Sequence, residues 1–292
     1  MPAQVMETND EAAKPVRRRV LSFLLTFLIG YVIALIAVRL FEPQLIFFPN
    51  YPGRLEGDWH PRNLPVEDVW LAAADGTKLH AWWIPSPDKD AKFTFLAFHG
   101  NASNIANRAG VYEFLRSTPA NVLALEYRGY GHSEGKPSES GMYRDADAAY
   151  QYLVDDRKID PKTIISFGQS LGTAVASNLA SRRPVGAVVL EAPFPSAPVL
   201  ARKMFWFLPG IHFFVLGQLD TAARLQEART PLLVVHCTQD RVIPFELGQT
   251  VYNGAPEPKR FLRIENICHE ESSIVAPQHY REALDAFLAT LR

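Results

Sequence analysis

The alternation of apolar runs with helical segments after residue 93 constrains the fold more than any other feature. Apolar runs that predict strands lie at 93–98, 121–127, 163–167, 186–192, 231–236 and 261–265. Helices are predicted near 104–117, 139–156, 171–182, 244–254 and 277–291. Because strands that are apolar throughout are buried on both faces, the pattern predicts an α/β domain with a mostly parallel sheet flanked by helices. Before this region, residues 69–85 predict an antiparallel hairpin around an Asp75-Gly76 turn.

A second feature is the apolar stretch at residues 20–38, which carries no charge between Arg19 and Arg39. As a helix, these 19 residues would reach about 28 Å, close to the hydrocarbon thickness of a bilayer. A cleaved signal peptide has a shorter apolar region and a small-residue cleavage site, whereas this run leads into Arg39-Leu40-Phe41-Glu42. The sequence therefore favours an uncleaved transmembrane anchor over a signal peptide or a buried core helix.

The basic residues around this stretch predict its orientation. Lys14 and residues 17–19 precede it, and Arg39 and Arg54 follow it. The positive-inside rule places the N-terminus in the cytoplasm and the remainder on the exported side, periplasmic or extracytoplasmic. The predicted organisation is a disordered tail at 1–16, a single-pass anchor at 17–40, a linker at 41–65 and one folded domain at 66–292.

The composition argues against several classes of protein. Lys and Arg number 30 against 31 Asp and Glu, so the basic excess of a nucleic-acid-binding protein is missing. The sequence contains two cysteines, Cys237 and Cys268, and no Cys/His cluster has zinc spacing, so no metal is expected. The Gly-rich stretch 128–135 has Glu134 where a dinucleotide-binding loop needs its third glycine, and no cofactor is expected.

Residues 168–172 read GQSLG and match the G-x-S-x-G pattern between a predicted strand and a predicted helix. Such a turn is so tight that Ser170 would be strained and larger residues at Gly168 and Gly172 would collide. The turn would present the Ser170 hydroxyl beside a helix N-terminus, which favours developing negative charge. Ser170 is therefore the candidate nucleophile, and an ordinary Gly/Ser turn is the alternative interpretation.

A serine nucleophile needs a general base, and the base needs an orienting acid. Asp240 follows the strand at 231–236 and His269 follows the strand at 261–265. Both lie where sites form in open α/β sheets, and with Ser170 they follow the order Ser, Asp, His. Glu191 remains an alternative acid. His279 is a weaker alternative base because it opens a helix instead of ending a strand.

An oxyanion formed during attack needs hydrogen-bond donors. The backbone N–H of Leu171, directly after the nucleophile, is one predicted donor, and the loop after the strand at 93–98 should supply the second. That second donor is assigned to Asn101, with Ala102 as the alternative. Asn101-Ala102-Ser103 also matches a glycosylation sequon, which we discount because this loop should line the site.

From about residue 66 to 292 the sequence resembles the α/β-hydrolase superfamily. FHGNAS, EYRGYGHSEG, GQSLG, the TQD loop and the final histidine loop match its landmarks in order. In particular, the chain resembles the group of membrane-anchored single-pass serine hydrolases, and QLIFFP, after the apolar stretch, fits that group too. Members often have glycine at the position of Cys237 and a Gly-His pair where this chain has Cys268-His269. In the resembling fold, these two cysteines would lie at the ends of neighbouring strands. They are then either joined in a disulfide that braces two loops or present as two buried thiols.

The resemblance also implies an inserted lid at 195–229, between two predicted strands that need only about a dozen connecting residues. The lid contains an aromatic-rich run, 204–216, which is too short and too broken by Pro209-Gly210 to span a bilayer. One interpretation is that it caps the core. The other is that it covers Ser170, forms an acyl-chain pocket with residues such as Trp206 and Phe213, and touches the membrane.

Together these features predict a membrane-tethered serine hydrolase of esters or thioesters. His269 would remove the Ser170 proton, Asp240 would hold the imidazole, and water would release the acyl group. The expected partners are a small-molecule or lipid-like acyl substrate and the membrane, with no nucleic acid. A peptidase of the same fold and a non-catalytic binding or scaffold protein are the alternatives.

Overall fold

The computed structural model describes residues 10–49 and 60–291, with a single long helix preceding the folded domain. This helix, α1, runs from Asp10 to Ile46. It is longer at both ends than the predicted anchor at 17–40, because most of the flanking residues are good helix formers. Residues 1–9 of the predicted tail and residues 50–59 of the predicted linker lie outside the described residues.

The domain is built on one eight-stranded sheet with the order β1-β2-β4-β3-β5-β6-β7-β8. The strands are β1 (Glu67–Ala72), β2 (Lys78–Ile84), β3 (Phe93–Phe98), β4 (Ala120–Leu125), β5 (Ile164–Gln169), β6 (Ala187–Glu191), β7 (Leu232–Cys237) and β8 (Lys259–Ile264). β1 and β2 form the predicted antiparallel hairpin, and β2 pairs antiparallel with β4. All other pairings are parallel. The predicted mostly parallel sheet is therefore confirmed.

The helices of the domain lie on both faces of this sheet. They are α2 (Ala109–Arg116), α3 (Glu139–Gln151), α4 (Gly172–Arg182), α5 (Ala197–Met204), α6 (Thr221–Ala228), α7 (Phe245–Gly254), α8 (Ser272–Val275) and α9 (Pro277–Leu288). Strand β3 shows why helices cover both faces: Leu96 and Phe98 belong to one buried cluster, and Phe95 and Ala97 belong to the other. A strand that is buried on both sides reads as a continuous apolar run, as the sequence predicted.

The predicted lid, 195–229, lies between β6 and β7. It consists of α5, a 3₁₀ turn at Ile211–Phe213 and α6. Because the parallel strands β3, β5, β6, β7 and β8 share one direction, the loops at their carboxyl ends gather at one edge of the sheet. The candidate site lies at that edge.

Candidate active site

Ser170 lies in the two-residue turn between β5 and α4, and its backbone is in the left-handed region with φ of 50°. A non-glycine residue in this region is strained by roughly 1–2 kcal/mol. Its N–H donates a hydrogen bond to the Glu191 carbonyl oxygen at 2.9 Å, which helps to hold the turn. A Cβ at Gly168 would overlap the Gly172 backbone, and a Cβ at Gly172 would overlap the Phe98 carbonyl group. The turn is thus as tight as the GQSLG pattern predicted.

His269 and Asp240, from the loops after β8 and β7, are in direct contact. The Nδ1 atom of His269 lies 2.7 Å from Oδ2 of Asp240. The other carboxylate oxygen, Oδ1, accepts the backbone N–H groups of Val242 at 2.7 Å and Ile243 at 2.9 Å. Because both oxygens are engaged, Asp240 is held in one orientation. It contacts the imidazole at Nδ1, so Nε2 is the ring nitrogen that this contact does not use.

Electrostatics favour an ionised Asp240 beside a basic His269. Burial by itself raises the pKa of Asp240, but hydrogen bonds from His236 and His269 outweigh it and hold that pKa well below its usual range. Burial by itself lowers the pKa of His269, but the hydrogen bond to Asp240 and the charges of Glu270, Asp240 and Glu191 raise it above its usual value. The imidazole is therefore a stronger base than a free histidine.

The two alternatives, Glu191 and His279, occupy different places. Glu191 is fully buried, and its carboxylate accepts hydrogen bonds from Gln169 Nε2 at 2.8 Å and from the Ser272 N–H at 3.0 Å. Burial raises the pKa of Glu191 to about 7. His279 is exposed in the first turn of α9. The structure brings Asp240, and not Glu191, into contact with His269.

Glu270 and Arg108 also lie at the site, and the sequence reasoning missed both. The Oε1 atom of Glu270 lies 4.0 Å from Nε2 of His269, and its other oxygen is paired with the Arg108 guanidinium. A Cβ at Gly100 would overlap the Glu270 carboxylate, so the His99-Gly100 loop passes directly beside it. The available sequence signal was the position of Glu270 directly after the candidate base.

The predicted oxyanion donors, Leu171 and Asn101, both line the cavity that contains Ser170. Among the described residues, neither backbone N–H is bonded to an acceptor. The Asn101 carbonyl oxygen accepts hydrogen bonds from the Phe48 N–H at 3.0 Å and the Tyr130 hydroxyl at 2.9 Å, which fix the peptide. Ala102, the alternative, pairs with Phe48 in a β-bridge and is not part of the cavity wall.

A cavity of about 480 Å³ lies over Ser170, within the range of small-molecule sites. The lid residues that line it are apolar: Ala197, Leu200, Ala201, Met204, Phe205, Leu208, Ile211, Val215 and Leu219. The expectation that Trp206 and Phe213 form this pocket is wrong, because they are 79% and 77% exposed and do not line it. The lid covers Ser170 with a different set of apolar side chains.

Cys237 and Cys268 are joined as a disulfide, with Cα atoms 5.6 Å apart, a separation typical of such bonds. β7 and β8 are neighbours in the sheet, so the bond links the loop of Asp240 to the loop of His269. Of the two alternatives that the sequence left open, the structure has the disulfide.

The Gly-rich stretch 128–135 is a structural turn. The Arg128 guanidinium pairs with Asp145 at 2.6 Å and with Asp75 at 2.8 Å, which anchors the turn to α3 and to the hairpin. Within residues 10–49 and 60–291, no group of three or more His, Cys, Asp or Glu side chains is placed to hold a metal ion.

Known proteins resemble this chain both in sequence and in fold. Residues 89–212, which include Ser170, match the family described as serine aminopeptidase, S33. The α/β hydrolase domain-containing protein WAV2 of Arabidopsis thaliana is 36% identical over 236 residues, covering 74% of this chain and 76% of that protein. The uncharacterized protein YfhR of Escherichia coli K12 is 30% identical over 288 residues, covering 94% of this chain and 97% of that protein.

Among solved structures, the Pyrococcus furiosus esterase Pf2001 superimposes with a TM-score of 0.67 at 23% identity, covering 84% of this chain and 98% of the esterase. This likeness concerns the fold. The sequence relatives add identity of 30% or more over most of the chain. The chain therefore belongs to the α/β-hydrolase superfamily.

Proposed function

We propose that this protein is a membrane-tethered serine hydrolase that cleaves carboxylic ester or thioester bonds of apolar acyl groups through an acyl-enzyme. The observation that carries the proposal is the 2.7 Å contact between His269 and Asp240 at the sheet edge where the strained Ser170 turn lies. Membership of a hydrolase superfamily supports the reaction class.

The geometry suggests a role for each group. The Nδ1–H of His269 donates to the Asp240 carboxylate, which leaves Nε2 to take the proton of the Ser170 hydroxyl as its oxygen attacks the substrate carbonyl. The N–H groups of Leu171 and Asn101 would bind the oxyanion of the tetrahedral intermediate. His269 then returns the proton to the departing alcohol or thiol. In the second half-reaction, water attacks the acyl-serine and gives a proton to His269. His269 returns this proton to the Ser170 oxygen as the acyl bond breaks, which releases the carboxylic acid and restores the Ser170 hydroxyl.

The cavity favours an apolar acyl group over a charged substrate. Among the described residues that line it, Glu42 is the one charged side chain, and both of its oxygens already accept backbone N–H bonds. A peptidase of the same fold is the second candidate, because the matched family is described as a serine aminopeptidase. An aminopeptidase must also bind the free amino group of its substrate, for which an acidic side chain would be suited. Both carboxylate oxygens of Glu42 already accept N–H groups of the lid, so the peptidase is the weaker candidate.

The tether is assigned to α1, whose residues Arg17–Ile46 are long and apolar enough to cross a membrane. A signal sequence passes the same test, so the proposal rests also on the absence of a small-residue cleavage site after residue 38. We assign residues 66–292 to the catalytic domain on the exported side. A protease added to intact cells or spheroplasts should digest this domain, and protection until lysis would reverse the orientation.

A fluorophosphonate probe tests the reaction class on the purified full-length chain. Wild type and the surface variant Ser140→Ala should be labelled equally, and Ser170→Ala should not be labelled. A parallel panel of acyl esters, thioesters and aminoacyl amides assigns the bond that is cleaved. If wild type is not labelled and hydrolyses none of them, the scaffold alternative is correct. If amides are cleaved faster than esters, the peptidase alternative is correct.

A further inference from the structure

One face of α1 packs against the catalytic domain along the second half of the helix. Leu35 and Glu42 are buried, and Tyr31, Val38 and Ile46 are partly buried. These positions follow the spacing i, i+4, i+7, i+11 and i+15, which places them on one stripe of a helix. The opposite face is exposed, for example at Ile36 and Leu40. A helix that served only as a flexible tether would not have a buried stripe of this kind.

Three polar contacts fasten this stripe to the site. The Tyr31 hydroxyl donates to the Pro209 carbonyl oxygen in the lid. The Glu42 carboxylate accepts the N–H groups of Leu216 and Gly217, each at 2.8 Å, also in the lid. The buried carboxylate thus satisfies two lid amides, and burial strengthens such charge-assisted bonds.

The third contact reaches the candidate oxyanion donor. The Asn101 side-chain Nδ2 donates to the carbonyl oxygen of Ile46, the last residue of α1, at 3.0 Å. Phe48, two residues further on, donates its N–H to the Asn101 carbonyl oxygen at 3.0 Å. The position of the Asn101 peptide therefore depends on the end of α1.

The same helix forms part of the cavity wall. Val38, Leu45 and Ile46 line the cavity of about 480 Å³ together with Ser170, and the apolar side chains of the lid line it from the other side. Tyr31 lies seven residues before Val38, the end of the apolar stretch 20–38. The contact between Tyr31 and Pro209 of the lid therefore lies about 10 Å along α1 from the end of that stretch, inside the segment predicted to cross the membrane.

We propose that the C-terminal half of α1 is one wall of the acyl-binding site. The substrate is then an ester or thioester whose acyl chain resides in the membrane, and this chain lies between α1 and the lid while its carbonyl carbon meets Ser170. This inference rests on the proposed function and adds to it the substrate class and a role for the helix. It also means that a domain lacking α1 would lack part of its site.

The test fills the cavity from the helix side in the full-length protein, reconstituted in vesicles. Val38→Trp adds bulk inside the cavity. Ile36→Trp makes the same kind of change two residues away on the opposite face of α1, where Ile36 is 47% exposed, and serves as the matched control. The measurement is kcat/KM for p-nitrophenyl esters from acetate to dodecanoate, with fluorophosphonate labelling of Ser170 as a check that the site is intact.

For wild type and Ile36→Trp, we expect kcat/KM to rise with the length of the acyl chain, by at most about fourfold per buried methylene. Val38→Trp should lower the ratio of kcat/KM for dodecanoate to kcat/KM for acetate roughly 15-fold, the effect of two displaced methylenes. If Val38→Trp also loses acetate hydrolysis, Leu45→Trp, which fills the same cavity, must show the selective loss.

Equal chain-length profiles for Val38→Trp and Ile36→Trp, with acetate still hydrolysed, would overturn the role of α1 and leave the proposed hydrolase function standing. The same conclusion would follow if Leu45→Trp, used as the second variant, spared the long esters. Failure of wild type to hydrolyse any ester or to be labelled would instead overturn the proposed function, and this inference with it.

Discussion

Nδ1 of His269 lies 2.7 Å from Oδ2 of Asp240, and this contact joins two loops that are 29 residues apart in the sequence. The contact is possible because β7 and β8 are adjacent and parallel, so both loops leave the same edge of the sheet. The disulfide between Cys237 and Cys268 ties together the ends of the same two strands. Two links, one covalent and one polar, thus fix the candidate base relative to its candidate acid.

Ser170→Ala and His269→Ala should each lower kcat by about 10⁴-fold or more, because the nucleophile and its base act as a unit. For the same reason, the double variant should be little worse than either single variant. Steady-state kinetics on one good ester substrate would measure all three. Near-normal turnover by either single variant would refute the assignment of that residue.

Asp240→Asn should be nearly as severe, about 10⁴-fold in kcat, because the amide favours the wrong imidazole tautomer. Glu191→Gln should cost far less, since Glu191 bonds to Gln169 and Ser272 instead of the imidazole. The comparison uses the same ester assay, with circular dichroism to confirm that both variants are folded. A larger loss in Glu191→Gln than in Asp240→Asn would show that Glu191 is the acid.

The activity should fall on the acid side with an apparent pKa above the usual histidine value of about 6.5. His269 must be neutral to take a proton, and its contacts with Asp240 and Glu270 favour the protonated form. Glu270→Gln removes a negative charge 4.0 Å from Nε2 and leaves the Arg108 guanidinium without its carboxylate partner, and both changes lower the pKa of His269. The acid limb of kcat/KM should therefore move to lower pH.

The control for this profile is Glu265→Gln, an exposed carboxylate in the stretch between β8 and His269. It should leave the acid limb of the kcat/KM profile in place. If Glu270→Gln moved the limb to higher pH, or if the two variants moved it equally, the charge of Glu270 would not be tuning His269.

Gly172→Ala should damage both stability and activity, because its new methyl group would overlap the Phe98 carbonyl group. Overpacking of this kind costs about 1–3 kcal/mol of unfolding free energy, and the shift of the turn would displace Ser170. Gly110→Ala in α2 is the matched control, since nothing lies within 4 Å of its added Cβ. It should raise the unfolding free energy by up to about 1 kcal/mol. Thermal unfolding and ester hydrolysis would measure the pair, and equal behaviour would contradict the tight turn.

Alkylation of the purified, unreduced protein should modify neither Cys237 nor Cys268, because the two are joined. Mass spectrometry of the alkylated chain reads this directly, and two alkylated thiols would refute the bond. Replacing both cysteines by serine should lower the unfolding free energy by about 3–4 kcal/mol, given their separation of 31 residues. The same double variant should also loosen the loops that carry Asp240 and His269, and so lower kcat.

Local patterns in the sequence were sufficient to predict the strands, five of the helical segments and the candidate residues Ser170, Asp240 and His269. Continuous apolar runs predicted buried parallel strands because burial on both faces leaves no polar alternation. GQSLG predicted the tight turn because a chain that turns back so sharply leaves no room for side chains two residues before and after the serine. In the structure, a Cβ added at Gly168 or Gly172 would overlap neighbouring backbone atoms. Asp240 and His269 lie in loops that follow strands, and this predicted that both are at the carboxyl-end edge of the sheet, where the structure has them.

What the sequence could not determine depends on distances between segments that are far apart along the chain. Only the packing of the loops decided that Asp240 meets His269 while Glu191 is buried against Ser272. Trp206 is exposed and Phe205 faces the cavity, although they are adjacent and chemically alike, because the turn that follows α5 orients their side chains.

The role of α1 is of the same kind. Its sequence determined that residues 20–38 are apolar and long enough to cross a bilayer, since this depends only on length and composition. The tertiary structure alone decided that Glu42 meets the lid and that Ile46 meets Asn101. Hydropathy reports how favourably a segment leaves water, and it carries no information about which surface the segment will contact.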